Sequence, residues 1–329
     1  MAENKLTIAI VGLGMIGTSA GLALHRHQEK VSIVGHDPDP ARAGKAKQMG
    51  AIDRAEWNLI NAVRKADRVL LAIPASEMRP TLDAIKEDLK PGCVLLDTAD
   101  VKEPVLKCAE ELLPDNVHFI GGHPILLVES LDTADARADL FDKKLFCLIP
   151  SERASEQALN LAIDLAQAMG AQPFFLDVVE HDGMAAVVDH LPTLLAGALM
   201  SLANNSSGWK DMRKLAGSQF YASTWVAEGD PKGAAGACVA NKDHLVRLID
   251  TLVGELEEWK ESISSGDVDA LGEKFEAGMN ATNAWVRAHE QGNWEELPPV
   301  TDLPTTGSYM RQMIGFGGMG RQARKTNKK

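Results

Sequence analysis

The chain has 329 residues, of which 45% are hydrophobic and 24% charged, and its formal net charge is −12. This length allows two domains with substantial cores, and the composition is that of an ordinary globular protein. The acidic balance argues against nucleic acids and anionic membrane surfaces as partners. With no signal peptide and no apolar run of membrane-spanning length in view, we expect a cytoplasmic protein.

The chain opens with a strand pattern that runs directly into three spaced glycines. Leu6 to Val11 is short and rich in β-branched residues, as a buried parallel strand is. Gly12, Gly14 and Gly17 follow in G-x-G-x-x-G spacing. Gly12 suits a tight turn, Gly14 a close approach of a pyrophosphate, and Gly17 close packing of helix on strand. The first N–H groups of the next helix would then face the phosphates, so we predict a dinucleotide site.

Asp37 indicates which dinucleotide binds. It stands at the end of a second strand pattern, Val31 to Gly35, about 20 residues past the last glycine. A carboxylate there accepts hydrogen bonds from ribose hydroxyls and repels a 2′-phosphate. No arginine in residues 38–40 reverses that preference. We therefore predict NAD as the cofactor, preferred over NADP.

Strand and helix patterns continue to alternate after Asp37. Strands are predicted at Arg68–Ile73, Cys93–Asp97, His118–Gly121, Leu145–Ile149 and Pro173–Leu176, and helices at Ala41–Met49, Glu77–Leu89, Glu103–Leu113 and Ala154–Met169. This order is typical of a parallel, doubly wound sheet of Rossmann type, which collects ligands at the carboxyl ends of its strands. Pro74, Thr98 and His123 each follow a strand and should line that site. The residues predicted to bind the cofactor are Gly12, Gly14, Met15, Ile16, Gly17, Asp37, Pro74 and Thr98.

From Val179 onward the strand patterns stop and apolar helices are predicted. They cover Gly183–Ala203, Asn241–Ile263 and Gly266–Glu290. Their apolar stripes exceed what one chain buries easily, so we expect a homodimer through them, with a self-contained bundle as the alternative. We divide the chain into a nucleotide-binding domain at 1–178, a helical domain at 179–296 and a glycine-rich basic tail at 297–329. The composition of the tail favours disorder, although its methionines allow docking.

The four cysteines show no C-x-x-C pairing. Cys93 and Cys147 lie inside apolar runs, so we expect buried, reduced thiols. We assign no residues to a metal.

Three further motifs follow the glycine loop in order. They are Asp97-Thr98-Ala99-Asp100-Val101-Lys102, Gly121-Gly122-His123-Pro124-Ile125, and His181-Asp182 followed by Asp189-His190-Leu191-Pro192. Together with the glycine loop they resemble the prephenate and arogenate dehydrogenase family. The resemblance implies an NAD(P)-linked oxidative decarboxylation of the tyrosine-biosynthesis type, in which hydride leaves a ring carbinol carbon and carbon dioxide is lost. It also implies that His123 contacts the carbinol hydroxyl and that the helical domain forms the dimer.

Histidine chemistry agrees with that role of His123. A near-neutral imidazole accepts a hydroxyl proton as hydride departs, although a structural histidine after a strand is the alternative. His190 is either a second catalytic residue or a buried core histidine. His181 and Asp182 belong to the third motif of the resemblance, and the alternative is that they simply cap their helix. Lys102 either holds a substrate carboxylate or pairs with a neighbouring aspartate.

The region expected to bind the substrate departs from the family pattern. The departing residues are Asp100, Leu126, Leu127, Asp189, Tyr221 and Trp225. Tyr221 and Trp225 stand where two arginines are expected, and arginine is the side chain that binds carboxylates in bidentate fashion. Asp100 and Asp189 replace serines and add negative charge. Leu126 and Leu127 replace Ala-Gly and should fill space beside the catalytic histidine.

The sequence therefore predicts an NAD-dependent oxidoreductase with a Rossmann-type α/β domain followed by an all-helical dimerisation domain. The catalytic candidates are His123, His190, Asp100 and Lys102, and the substrate candidates are Leu126, Leu127, Tyr221 and Trp225. One alternative is a relative that acts on a less anionic hydroxy compound than prephenate. Another is a non-catalytic NAD-binding module. A β-hydroxyacid dehydrogenase would need a catalytic lysine, which Gly183–Ala203 lacks.

Overall fold

The computed structural model describes residues 5–127, 132–225 and 231–291. Eight strands of this part form one sheet in the order β3-β2-β1-β4-β5-β6-β7-β8. The strands are β1 Leu6–Val11, β2 Val31–His36, β3 Arg54–Ala55, β4 Arg68–Leu71, β5 Val94–Asp97, β6 His118–Pro124, β7 Leu145–Pro150 and β8 Gln172–Phe175. The order reverses direction at β1, which is the switch point where a doubly wound sheet opens a crevice for ligands.

Strand β7 corrects the prediction that the sheet is wholly parallel. It pairs antiparallel with β6, with His123 opposite Cys147, whereas the remaining pairs are parallel. A parallel pair needs a crossover connection that carries the chain back across the sheet. The described part of the β6–β7 connection carries a single short turn of 3₁₀ helix, at Thr133–Asp135. The fold is therefore the predicted Rossmann-type sheet with one reversed strand.

Alternating side chains of the strands fill two apolar cores, one on each face of the sheet. Ile8 and Ile10 of β1 belong to one core, and Ala9 and Val11 to the other. The helices of this part are α1 Met15–His25, α2 Pro40–Gln48, α3 Leu59–Val63, α4 Met78–Ile85, α5 Glu103–Leu112 and α6 Glu156–Ala168. Because helices cover both faces of the sheet, the side chains on both sides of each strand are buried. The strands are therefore near-continuous apolar runs, which can be predicted from the sequence.

The cysteine prediction agrees with this packing. Cys93, Cys108 and Cys147 are free and buried. Burial raises the pKa of the Cys93 thiol to about 12 and that of Cys147 to about 11. These thiols are therefore protonated and inert near neutral pH.

The helix that follows the sheet corrects two further predictions. It begins at Val178 rather than Gly183 and continues to Asn204, as α7 Val178–Ala185, a π-helical turn at Ala186–His190, and α8 Leu191–Asn204. By length and composition this run could cross a membrane, so the prediction that no run reaches that length is wrong. Polar residues of the run, including Asp182, are buried against the sheet domain, whereas Leu202 is 74% exposed.

The remaining helices are α9 Trp209–Met212, α10 Ser218–Thr224, α11 Pro231–Ala240, α12 Lys242–Ser265 and α13 Val268–Gln291. The described residues divide into two compact units, one that ends at Glu255 and one that begins at Leu256. In the second unit Trp259 meets Phe275 edge to face, with ring centroids 4.9 Å apart, and Lys274 lies over the indole. The predicted boundary at 178/179 marks where strands end and stays a prediction, and the 297–329 tail lies outside the described residues.

Candidate functional site

The glycine loop has the geometry that its spacing predicts. Gly12 has φ +90°, and a Cβ there would lie 2.2 Å from the carbonyl oxygen of Ala72. A Cβ on Gly17 would lie 1.9 Å from the carbonyl oxygen of Gly12, so helix and strand meet too closely for any side chain. A Cβ on Gly14 would meet nothing within 4 Å. The space above Gly14 is therefore open to a ligand.

Three side chains hold the loop through one residue, Leu13, and sequence reasoning missed two of them, Thr18 and Thr133. Its N–H donates to Asp37 Oδ2 at 2.8 Å, and its carbonyl accepts from the hydroxyls of Thr18 at 2.9 Å and Thr133 at 3.0 Å. Asp37 is 6% exposed, and its other oxygen accepts from the N–H of Asp39. Asp37 thus braces the glycine loop, which its position at a strand end did not reveal. Each carboxylate oxygen keeps a lone pair for a further donor.

These residues fit a dinucleotide. No side chain caps the N-terminus of α1 in the described chain, so its first N–H groups, at Met15 and Ile16, remain available to phosphate oxygens. The side chain of Met15 is buried, so it offers the ligand its backbone alone. Pro74 follows β4 and Thr98 follows β5, where Thr98 N–H donates to the carbonyl of Leu71. Both therefore lie at the carboxyl edge of the sheet, as predicted.

A buried ion pair ties the ends of β5 and β6 together. Lys102 and Asp97 are both fully buried, and the Lys102 ammonium bonds the Asp97 carboxylate and, at 2.7 Å, the carbonyl oxygen of Gly122. The N–H of Gly122 donates to the other oxygen of Asp97 at 2.7 Å. Of the two roles left open for Lys102, the structure selects the pairing with Asp97. Through these bonds Lys102 supports the strand that carries His123, and its role as a catalytic candidate stays a prediction.

His123 begins a chain of three hydrogen-bonded side chains. Its Nδ1 lies 3.0 Å from Nε2 of His181, and Nδ1 of His181 lies 2.8 Å from Oδ1 of Asp182. Because the Asp182 carboxylate only accepts, His181 donates from Nδ1 and accepts at Nε2. His123 must then donate from Nδ1, which leaves its Nε2 unprotonated. The chain presents a base at the far nitrogen of His123, in the manner of a histidine oriented by a carboxylate.

The charges around this chain keep His123 neutral. Burial, followed by the neighbouring His181 and Lys102, lowers the pKa of His123 to about 3. Burial pushes the pKa of Asp182 upward, but the hydrogen bond from His181 and those from two backbone N–H groups outweigh it, so this pKa lies below its ordinary value. At neutral pH the hydrogen-bonded series therefore begins with the neutral imidazole of His123 and ends with the ionised carboxylate of Asp182.

Asp182 also corrects the capping prediction. Its two oxygens accept from the N–H groups of Lys102 and Glu103, both at 2.8 Å, so it caps the start of α5 rather than its own helix. The cap of α7 is Asp177, which accepts from Val179 and Glu180. Asp182 therefore joins α7 to the sheet domain and orients His181 with the same carboxylate.

A second imidazole, His190, lies with two carboxylates. His190 is 3% exposed and sits on the π-helical turn, a rare geometry that is frequent at functional sites. Its Nδ1 lies 3.3 Å from the amide nitrogen of Asn241, and its Nε2 lies 3.6 Å from Oδ2 of Asp100. Burial lowers the pKa of His190, but Asp100 and then Asp189 outweigh it and raise that pKa. Burial and the Asp100 charge raise the pKa of Asp189 to about 6.

The substrate candidates are less closely gathered. Leu126 is partly buried and packs against the apolar core, and Leu127 is 54% exposed. Tyr221 lies on α10 and is 56% exposed, and Trp225 directly follows that helix. Within the described ranges no hydrogen bond or ring contact joins either aromatic residue to His123. Their role in substrate binding stays a prediction.

Two family models match this chain. The nucleotide-binding domain of prephenate dehydrogenase matches residues 20–174, and the dimerization domain of prephenate dehydrogenase matches residues 177–277.

Individual relatives span most of the chain. Prephenate dehydrogenase of Bacillus subtilis is 26% identical over 282 residues, which cover 85% of this chain and 76% of the relative. Cyclohexadienyl dehydrogenase of Zymomonas mobilis is 28% identical over 286 residues, which cover 86% of this chain and 97% of the relative. The crystal structure of A. aeolicus prephenate dehydrogenase with hydroxyphenyl propionate and NAD+ has a TM-score of 0.75 at 25% identity, covering 84% of this chain and 97% of that one.

Proposed function

The chain belongs to the prephenate and arogenate dehydrogenase family and is an NAD-dependent oxidoreductase, and from that premise we propose how its own residues carry out the reaction. The proposed reaction oxidises the hydroxyl-bearing ring carbon of a cyclohexadiene carboxylic acid, with loss of carbon dioxide. NAD, when bound, accepts the hydride. The single observation that carries the proposal is the chain from Asp182 through His181 to His123, which leaves a neutral base at Nε2 of His123.

The hydrogen-bonded chain suits the electron movements of this reaction. As hydride leaves the ring carbon, the hydroxyl proton moves toward Nε2 of His123. The bond to the ring carboxylate breaks, its electrons complete the aromatic ring, and the proton returns to the oxygen, because a phenol keeps its hydroxyl group. The positive charge that develops on His123 is stabilised through His181 by the Asp182 carboxylate.

His123→Asn tests this role. Asparagine keeps polarity but offers no basic nitrogen, so turnover should fall roughly 10²–10⁴-fold while NAD affinity stays close to that of the wild type. Turnover is measured as NADH formation with prephenate or arogenate as the substrate. NAD affinity is measured by calorimetry. Wild-type turnover in this variant would contradict the proposal and direct attention to His190.

We also propose that the enzyme prefers NAD over NADP. The support is the Asp37 carboxylate, which is held at the end of β2 with a lone pair free on each oxygen and would repel a 2′-phosphate. Calorimetric titration of both cofactors at equal salt tests this preference. Equal affinities for NAD and NADP would mean that Asp37 only holds the glycine loop in place and does not select the cofactor.

A less anionic substrate than prephenate is our proposal for the specificity of the site. Tyr221 and Trp225 stand where the family pattern has arginines, and Asp100 and Asp189 add charge where it has serines. Repulsion between unit charges at close range costs about 4 kcal/mol near a protein surface. We expect kcat/KM for prephenate to lie below about 10⁴ M⁻¹s⁻¹, and a value above it would refute this proposal.

The exposed apolar side chains of the helical part support a homodimer. Val188 is 64% exposed and Leu202 74%, and Val246, Val253 and Leu256 of α12 are each more than half exposed. We propose that a second copy covers them, since the matching family model is that of a dimerization domain. Sedimentation of the full chain tests this proposal. A monomer at micromolar concentration would contradict the dimer and favour the alternative, a helical domain that forms a self-contained bundle. A cytoplasmic location, which reduced thiols and NAD suit, is the accompanying proposal.

A further inference from the structure

Asn241 is a buried polar residue that the proposed reaction does not use. It lies between α11 and α12 and is 4% exposed. Its amide nitrogen lies 2.6 Å from the carbonyl oxygen of Asp182 and 3.3 Å from Nδ1 of His190, and its amide oxygen lies 2.8 Å from Nδ1 of His244. Through Asp182, Asn241 is joined to the hydrogen-bonded series that begins at His123.

One contact settles the orientation of the Asn241 amide. A backbone carbonyl only accepts hydrogen bonds, so the group that lies 2.6 Å from the Asp182 carbonyl must be the NH₂. The same NH₂ has a second hydrogen, and Nδ1 of His190 is the acceptor that it faces. Nδ1 of His190 is therefore unprotonated, and the proton of the neutral ring lies on Nε2.

The opposite nitrogen of His190 shows what this tautomer makes available. Nε2 is buried and has no hydrogen-bond partner among the described residues, since Oδ2 of Asp100 at 3.6 Å lies beyond hydrogen-bond distance. A buried donor without a partner destabilises the free protein. The Nε2–H of His190 is therefore a donor that a bound molecule can use, whereas Nε2 of His123 is an acceptor.

Asn241 also opposes a second proton on His190. Burial lowers the pKa of His190, but nearby carboxylates outweigh it and raise that pKa; they belong to Asp100, Asp189 and Asp182. A doubly protonated ring would direct its Nδ1–H at the NH₂ group of Asn241, and neither of these groups accepts a hydrogen bond. Burial holds the pKa of His123 low, and a positive charge on His190 would lower it further, which would weaken His123 as a base.

We propose that Asn241 is a positioning residue, which holds His190 neutral with its proton on Nε2, so that His190 donates a hydrogen bond while His123 alone acts as the base. The inference rests on the proposed function, because it assigns the role of the second imidazole in that same reaction. Asn241 acts through His190 and needs no contact with substrate or cofactor.

The protonation of His190 is measured directly by NMR of the full chain with isotope-labelled histidine. His190→Gln identifies the signals of this ring by their loss, and the shifts of Cδ2 and of both ring nitrogens show which nitrogen carries the proton. We expect the wild type to contain the neutral Nε2–H ring at mildly alkaline pH. A neutral ring with its proton on Nδ1, or a doubly protonated ring, would overturn the inference. This measurement needs no turnover.

Asn241→Asp tests the link to turnover. The carboxylate keeps the shape of the amide but only accepts, so Nδ1 of His190 should take up a proton and the pKa of His190 should rise. We expect kcat with prephenate or arogenate to fall roughly 10- to 100-fold, the scale of one hydrogen bond to a charged group, while NAD affinity stays close to that of the wild type. Asn241→Ser has one hydroxyl proton for two acceptors, and it replaces Asn241→Asp if that variant does not fold, with the same fall in kcat expected.

Asn205→Asp is the matched control, because it makes the same exchange of amide for carboxylate at an exposed residue whose amide nitrogen bonds Ser201. Both kcat and the His190 tautomer should stay those of the wild type. If Asn241→Asp lowers the free energy of unfolding but leaves either kcat or the His190 tautomer unchanged, Asn241 is only a structural contact and the inference is wrong. A wild type that oxidises neither ring acid contradicts the proposed function instead, and the NMR measurement then decides the tautomer by itself.

Discussion

Asp182→Asn is the change that separates the two roles of the carboxylate at the centre of this site. The Asp182 carboxylate accepts three hydrogen bonds of 2.8 Å, from His181 Nδ1 and from the N–H groups of Lys102 and Glu103. An asparagine amide has one oxygen, so its NH₂ must face at least one of these donors. Each donor left unpaired in the interior costs about 1–3 kcal/mol of stability.

The effect on turnover follows from the two orientations of the amide. If the NH₂ group faces Glu103, His181 keeps its tautomer but loses the negative charge that stabilises the developing imidazolium. If it faces His181, that ring must accept at Nδ1 and donate from Nε2, so His123 becomes an acceptor at Nδ1 and carries its proton on Nε2. A protonated Nε2 cannot accept the substrate hydroxyl. Both orientations lower kcat, and we expect a fall of roughly 10²–10⁴-fold.

The assay measures NADH formation at saturating NAD and ring acid, with the free energy of unfolding measured in urea. Asp177→Asn is the matched control, because the Asp177 side chain also accepts from two backbone N–H groups at a helix start and has no hydrogen bond to either imidazole in the described structure. It should lose stability and keep its turnover. An Asp182→Asn variant that loses stability and keeps wild-type kcat would refute the reasoning, since Asp182 would then be only the cap of α5.

Three further predictions concern the residues around this chain. Lys102→Met leaves the buried Asp97 carboxylate without its counter-charge, so the free energy of unfolding in urea should fall by about 3–5 kcal/mol, and a neutral result would contradict the buried pair. Asp37→Ala should narrow the calorimetric difference between NAD and NADP affinity by about 1–3 kcal/mol, whereas an unchanged difference would reduce Asp37 to a brace. The pKa of His123 falls from 6.5 to about 3 on folding, so the stability it contributes is present above pH 6.5 and lost as the pH falls toward 3. His123→Asn should therefore flatten the decline of the melting temperature with acid over that range, and an unaltered decline would show that His123 is not held neutral.

Local patterns were enough to predict the nucleotide-binding half. Buried parallel strands are covered on both faces, so each one reads as an apolar run, and the turn after β1 admits only glycine where the backbone has φ +90° or meets another carbonyl. Both signals depend on residues adjacent in the chain. The reversal of β7 was missed because an apolar strand reads the same in either direction.

The catalytic residues also divide into those that local sequence predicts and those that only the tertiary structure brings together. His123 was recognised because it stands at the end of a strand, and the parallel strands β1, β4, β5 and β6 all end at the ligand edge. The partners of His123 come from 58 and 59 residues further along the chain, since His181 and Asp182 are brought beside it by the docking of α7 on the start of α5. Asp182 and His181 looked like caps of their own helix because sequence shows which residues are neighbours on one element only.

Sequence by itself thus determined the strand–turn–helix unit, the acid at the end of β2 and the histidine at the end of β6, since each depends on backbone geometry within one short segment. Tertiary structure alone decided what those polar side chains do. Asp37 holds Leu13, Lys102 neutralises Asp97 in the interior, and the π-helical turn places His190 beside Asp100. The physical reason is that a buried charge or imidazole takes its protonation state from whatever faces it, and those groups come from distant parts of the chain.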